Sequence, residues 1–183
     1  MKTLKLLFSI VALSAISQVS FAQEKTVTVG GAPMYPSKNI IENAVNSKDH
    51  TTLVAAVKAA GLVETLSGPG PFTVFAPTNK AFDKLPKGTV ETLVKPESKE
   101  TLTKILTYHV VSGKMSAADL MKAIADGGGK ATLTTVQGGT LTAMQKGKKI
   151  ELMYAKGGTS TVTIADVNQS NCVIHVIDTV LMP

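Results

Sequence analysis

The sequence predicts an α+β domain. Apolar residues recur at helical spacing through most of Asn39 to Tyr108. From Thr132 onward they alternate in period two between Gly-rich turns. The closing segment, Cys172 to Met182, is apolar on both faces.

Residues 1–22 read as a secretory signal. Lys2 and Lys5 form a positive start, Leu6 to Ile16 a short apolar run, and Ser20-Phe21-Ala22 supplies small residues for cleavage between Ala22 and Gln23. The apolar run is far short of the roughly 20 residues that span a bilayer. No Cys lies near the junction to carry a lipid. Once the signal is removed, no membrane span is expected. The chain then divides into an extended lead-in, residues 23–37, and one domain, residues 38–183.

Within that domain, Leu53, Val54 and Val57 mark a helix that Asp49 is placed to cap and Gly61 to end. Gly68 to Pro71 must be a tight loop. Phe72 to Ala76 is a β-type run stopped by Pro77. Thr78 caps a helix reaching Leu85, and Pro86 starts another toward Val94. Leu102, Ile105 and Leu106 are the core face of a helix after Pro96. Ser116 and Asp119 form a capping-box pattern for Ala117 to Ala125. Beyond Gly127-Gly128-Gly129, strands are predicted at Thr132–Val136, Thr140–Lys146, Ile150–Tyr154 and Thr159–Asp166. Cys172 to Met182 then forms a central strand covered on both sides.

Composition excludes several function classes. All 19 basic residues are Lys, against 13 acids. Lys146, Lys148 and Lys149 look like a charged hairpin tip. With no Arg or Trp and few aromatics, the chain lacks the groups that read bases or stack on them, so no nucleic acid is expected as a partner. A single Cys allows neither an intrachain disulfide nor a multi-Cys zinc site. Cys172 sits in an apolar run and is expected to be buried.

Catalytic and cofactor motifs are missing: no G-x-S-x-G, no H-E-x-x-H, no EF-hand loop and no dinucleotide fingerprint. His175 and Asp178, three apart on a strand, face opposite ways and read as structural, as does His50 at a helix start. No catalytic residue, metal or cofactor is called for. Tyr108-His109, at the boundary between a helix and a β-type run, fits either a contact surface or a packed core.

Phe72-Thr73-Val74-Phe75-Ala76-Pro77-Thr78-Asn79-Lys80-Ala81-Phe82 closely resembles the first signature block of the fasciclin domain. Leu106-Thr107-Tyr108-His109-Val110-Val111 resembles its central block, and Asn171 to Pro183 its closing block. The resemblance implies a helical layer packed around a wedge of two β-sheets, in a secreted protein that is extracellular or periplasmic. It implies a non-catalytic interaction module for cell adhesion. The expected partner is a cell-surface or extracellular matrix protein or a polysaccharide, and the expected state is a monomer. In animal members the tyrosine–histidine block is linked to integrin binding. That makes Tyr108 and His109, with Leu102, Ile105 and Leu106 beside them, the candidate interaction surface. The alternative is a carrier with an apolar pocket above roughly 300 Å³ between helices and sheet. Cys172 stands where the family usually has Gly, and would be strained if the backbone there needs positive φ.

The exported protein is expected to begin at Gln23. Intact-mass measurement of the secreted product tests this, and an uncleaved 183-residue species would overturn it.

Overall fold

The computed structural model describes residues 25–183. The signal segment and the Ala22–Gln23 junction lie outside the described residues. The segment before the predicted domain is more than a lead-in. Strands β1 (Val27–Val29) and β2 (Ala32–Met34) form a hairpin. Gly30 and Gly31 turn it with φ of +59° and +78°, values a side chain would resist. Val29, Ala32 and Met34 are buried in the core, so the hairpin is part of the domain.

The helical layer is α1 (Ile40–Ala44), α2 (Thr51–Ala60), α3 (Val63–Ser67), α4 (Asn79–Asp83), α5 (Thr89–Leu93) and α6 (Lys99–Tyr108), with a 3-10 turn at Pro96–Ser98. Local chemistry sets several ends. Asn39 and Glu42 form a capping box on α1, Thr78 Oγ1 accepts from Ala81 N at 3.3 Å, and Gly61 ends α2 in the left-handed region.

The start of α2 departs from the sequence reading. Asp49 does not cap it: His50 holds the cap position and makes no capping bond. The acceptor comes from another part of the chain. Asn79 Oδ1 takes the Thr52 N–H at 3.0 Å, while Asn79 Nδ2 donates to Lys48 O at 2.8 Å and to Thr51 Oγ1 at 3.0 Å. One side chain thus fastens α4 to the entry of α2. The helix expected from Pro86 begins only at Thr89, after Gly88 at φ +82°.

The strands are β3 (Phe72–Pro77), β4 (Val110–Ser112), β5 (Lys130–Thr134), β6 (Thr140–Lys146), β7 (Lys149–Met153), β8 (Thr159–Asn168) and β9 (Cys172–Ile177). Between β4 and β5 lies α7 (Ala117–Asp126), started by the Ser116–Asp119 capping box. The strands run in the order β4-β3-β9-β8-β7-β6-β5, and every pair but β3–β9 is antiparallel. Two register shifts in β8, between Val162 and Ile164 and between Ile164 and Val167, bend it from one sheet into the other. The far edges meet where Val136 N donates to Val110 O at 2.7 Å, closing the wedge.

Two cores result. Val74, Ala76, Cys172, Ile174 and Val176 face the helices. Phe75, Ile177 and Leu181 face the wedge interior with Leu120 and Ile124 of α7. β9 is therefore central and doubly covered, as its sequence predicts, although regular pairing ends at Ile177. Cys172 fits there unstrained, since Asp166 is the one non-glycine residue with positive φ among those described. Burial pushes its thiol pKa up to about 12.

Asn79→Ala should lower stability by about 1–2 kcal/mol, because it strips the cap and leaves a carbonyl unpaired. Urea unfolding tests this, and a loss below about 0.5 kcal/mol, the size of an ordinary surface change, would show that the clamp is not needed.

Candidate functional site

The tyrosine–histidine block lies where α6 runs into β4, and both side chains turn inward. Tyr108 is 1% exposed and His109 3%. The Tyr108 hydroxyl donates to Thr140 O at 2.7 Å and accepts from Ala155 N at 3.1 Å, tying α6 to β6 and to the turn after β7. Its ring passes so close to Gly139 that a Cβ there would lie 2.7 Å from Tyr108 Cε2. The glycine is the space that the ring needs.

His109 spans the two halves of the fold. Its Nδ1 faces Ile105 O at 2.8 Å and its Nε2 faces Leu181 N at 3.0 Å. A carbonyl only accepts and an amide N–H only donates, so the partners fix the neutral tautomer with its proton on Nδ1. A second proton on Nε2 would point at the Leu181 N–H. Complete burial, only partly offset by the Ile105 carbonyl, brings the imidazole down to about 4.

Leu102, Ile105 and Leu106 are also buried, in the core under the helical layer. The structure therefore corrects the candidate surface on one point: none of the five side chains is presented to a partner in the folded chain. The period-3 and -4 spacing that marks the helix face marks its core side, and the polar tips of Tyr108 and His109 are satisfied by backbone. Beside this block lies a shallow groove of about 40 Å³, lined in part by Leu62, Leu66, Phe72 and Val136.

The other two histidines are internal as well. His175 stacks on Phe75, with ring centroids 5.7 Å apart, and donates from Nε2 to Met115 O at 2.9 Å. Asp178 does not meet it. That carboxylate accepts from Thr161 N at 2.9 Å and sits 3.7 Å from Lys84 Nζ. His50 Nδ1 lies 2.9 Å from Ser47 Oγ, and both residues are buried. No group of three or more potential metal ligands occurs among the described residues. Cavities under the α1–α6 layer amount to about 20 and 30 Å³, far below what a small ligand fills. Two larger clefts open at the surface, one of about 390 Å³ between α7 and β4–β5 and one of about 630 Å³ beside the β1–β2 hairpin.

Burial of these rings predicts a pH dependence. An imidazole held neutral in the fold but titrating near 6.5 once unfolded favours the unfolded chain as protons are added. Its contribution is whole above pH 6.5, declines as pH falls from 6.5 toward 4, and is lost below that. For His109 the full difference corresponds to about 3 kcal/mol. Burial also lowers His50 and His175, which adds in the same direction. Urea midpoints should therefore fall steadily between pH 7 and pH 4.5, and the His109 ring should titrate near 4 by NMR. A ring titrating near 6.5 in the folded protein would overturn the assignment.

Comparison with known proteins agrees with this architecture. The fasciclin-domain profile matches residues 48–183. A Synechocystis protein named sll1483 is 48% identical over 87% of this chain and 82% of its own length. The immunogenic protein MPB70 of Mycobacterium bovis is 38% identical over 76% of this chain and 66% of its own. The cell surface glycolipoprotein MPB83 of the same species is 40% identical over 76% of this chain and 58% of its own. Among solved structures, a FAS1 domain pair from the insect cell adhesion molecule fasciclin I superposes with a TM-score of 0.69 at 17% identity. It covers 87% of this chain and 58% of its own. With profile, relatives and fold in agreement, the chain belongs to the fasciclin domain family.

Proposed function

We propose that this protein is an exported, non-catalytic binding module that attaches to a surface polymer or surface protein outside the cytoplasm. The observation that carries the reading is the filled interior. Tyr108 and all three histidines are buried, and His109 and His175 have both ring nitrogens engaged by backbone. The cavities under the helices have room for little more than water. Recognition is then left to the outside of the domain. The name of one mycobacterial relative, the cell surface glycolipoprotein MPB83, supports a surface location, and no helix among the described residues is long and apolar enough to cross a membrane. The filled core under the α1–α6 layer counts against a carrier pocket there; the larger clefts beside α7 and the β1–β2 hairpin belong to the surface.

The secreted protein, fluorescently labelled and applied to whole cells, should bind saturably. Raising salt from about 0.05 to 0.5 M should weaken the binding without abolishing it, since a specific surface keeps contacts that ions do not screen. Complete loss at high salt, or no binding at either, would overturn the adhesion reading.

A further inference from the structure

Side chains alternate along β5 to β8, so one face of these strands lines the core and the other points out. Ala131, Leu133, Leu141, Ala143, Ile150 and Leu152 face inward. No side chain in the outward set is buried. The pairing sets that face in rows. Thr134 lies opposite Thr140, and the next row runs Thr132, Thr142, Met153, Thr159. After it come Lys130, Met144, Glu151 and Thr161, then Lys146 opposite Lys149 at the hairpin end.

Two properties set this face apart. The hydroxyls of Thr132, Thr134, Thr140, Thr142, Thr159 and Thr161 make no hydrogen bond to any described residue; on the same side, Thr163 spends its own on Val176 O. The charge is also one-sided. Glu151 is the single acid in these rows, held by Lys146 at 2.7 Å with its side chain only 13% exposed. Lys130 and Lys149, and Lys148 in the turn, form no ion pair among the described residues.

We propose that this face binds a linear acidic polysaccharide. The threonine hydroxyls would exchange hydrogen bonds with sugar hydroxyls, and Lys130, Lys148 and Lys149 would meet its carboxylates. The inference rests on the binding-module reading and names its partner and surface. Strands about 4.8 Å apart, with outward residues repeating about every 6.8 Å, give a grid of donors and acceptors on the scale of a sugar ring. Other partners fit less well. The face has no aromatic or Arg to anchor a protein interface. Nothing on it stacks on bases. Its two Met residues are too little apolar surface to enter a lipid layer.

The test is affinity electrophoresis of the full secreted protein in gels carrying alginate, dextran or polyglutamate. Alginate should retard it, whereas neutral dextran and sugar-free polyglutamate should not. Thr142→Val with Thr159→Val should weaken alginate binding about tenfold, the equivalent of two lost hydrogen bonds, with the melting temperature unchanged. Lys148→Gln with Lys149→Gln should weaken it several-fold and flatten its salt dependence. Equal retardation by polyglutamate would reduce the effect to charge and overturn the proposal, as would wild-type alginate affinity in the threonine variant. Binding to whole cells without binding to alginate would sink this assignment and leave the adhesion reading standing. Loss of both would remove the two together.

Discussion

The parallel pairing of β3 with β9, from Phe72–Cys172 to Pro77–Ile177, is the constraint on which the remaining structure depends. It joins segments from the two halves of the domain and buries β9 from both sides. Because side chains alternate, one pairing feeds two cores: Ile174 and Val176 look toward the helices, His175 and Ile177 toward the wedge. Parallel partners need a long crossover, and here the crossover is the second half of the helical layer followed by the β5–β8 sheet. The bend in β8 lets that sheet return to β9 without leaving either core open.

The tyrosine–histidine block belongs to the same joint. His109 O accepts from Phe75 N at 2.9 Å, and the His109 ring accepts the Leu181 amide just beyond β9. Three signature segments thus bond to one another at one place, and Tyr108 extends the joint to β6 and the β7–β8 turn. Polar groups buried this deeply hold a fold together only when every donor and acceptor finds a partner, and for this pair they do. Phe75 and His175 continue the arrangement across the paired strands. A block that looks functional from its polar tips is here a structural fastener.

How much of this was legible in the sequence depended on whether the cause was local. The Ser116–Asp119 box, the Gly61 stop, the β6 boundaries and the two apolar faces of β9 arise from short-range chemistry and periodicity, and the structure has them all. The cap on α2 was not legible, because its acceptor, Asn79, comes from a different element and reaches Thr52 only through the folded chain. The burial of Tyr108 and His109 was equally hidden. Spacing places them at the end of a helix, but whether their polar ends meet water or the carbonyls of Thr140 and Ile105 is decided by β6 and by the turn of the helix itself. The β1–β2 hairpin was masked by its Gly and Pro content, which reads as loop although Val29 and Met34 enter the core.

Threonine is a good strand former, so its abundance on an outward face has a structural reason of its own. That reason accounts for the residue type but not for the charge pattern. A solvated protein surface ordinarily carries charges of both signs interspersed. On β5–β8 the charges are gathered at the Lys146–Lys149 end, and the middle carries hydroxyls with two methionines. Nothing in the packing of the domain calls for rows of unbonded hydroxyls beside a cluster of lysines. The interior is already committed, so a surface with this composition is where selection for binding has room to act.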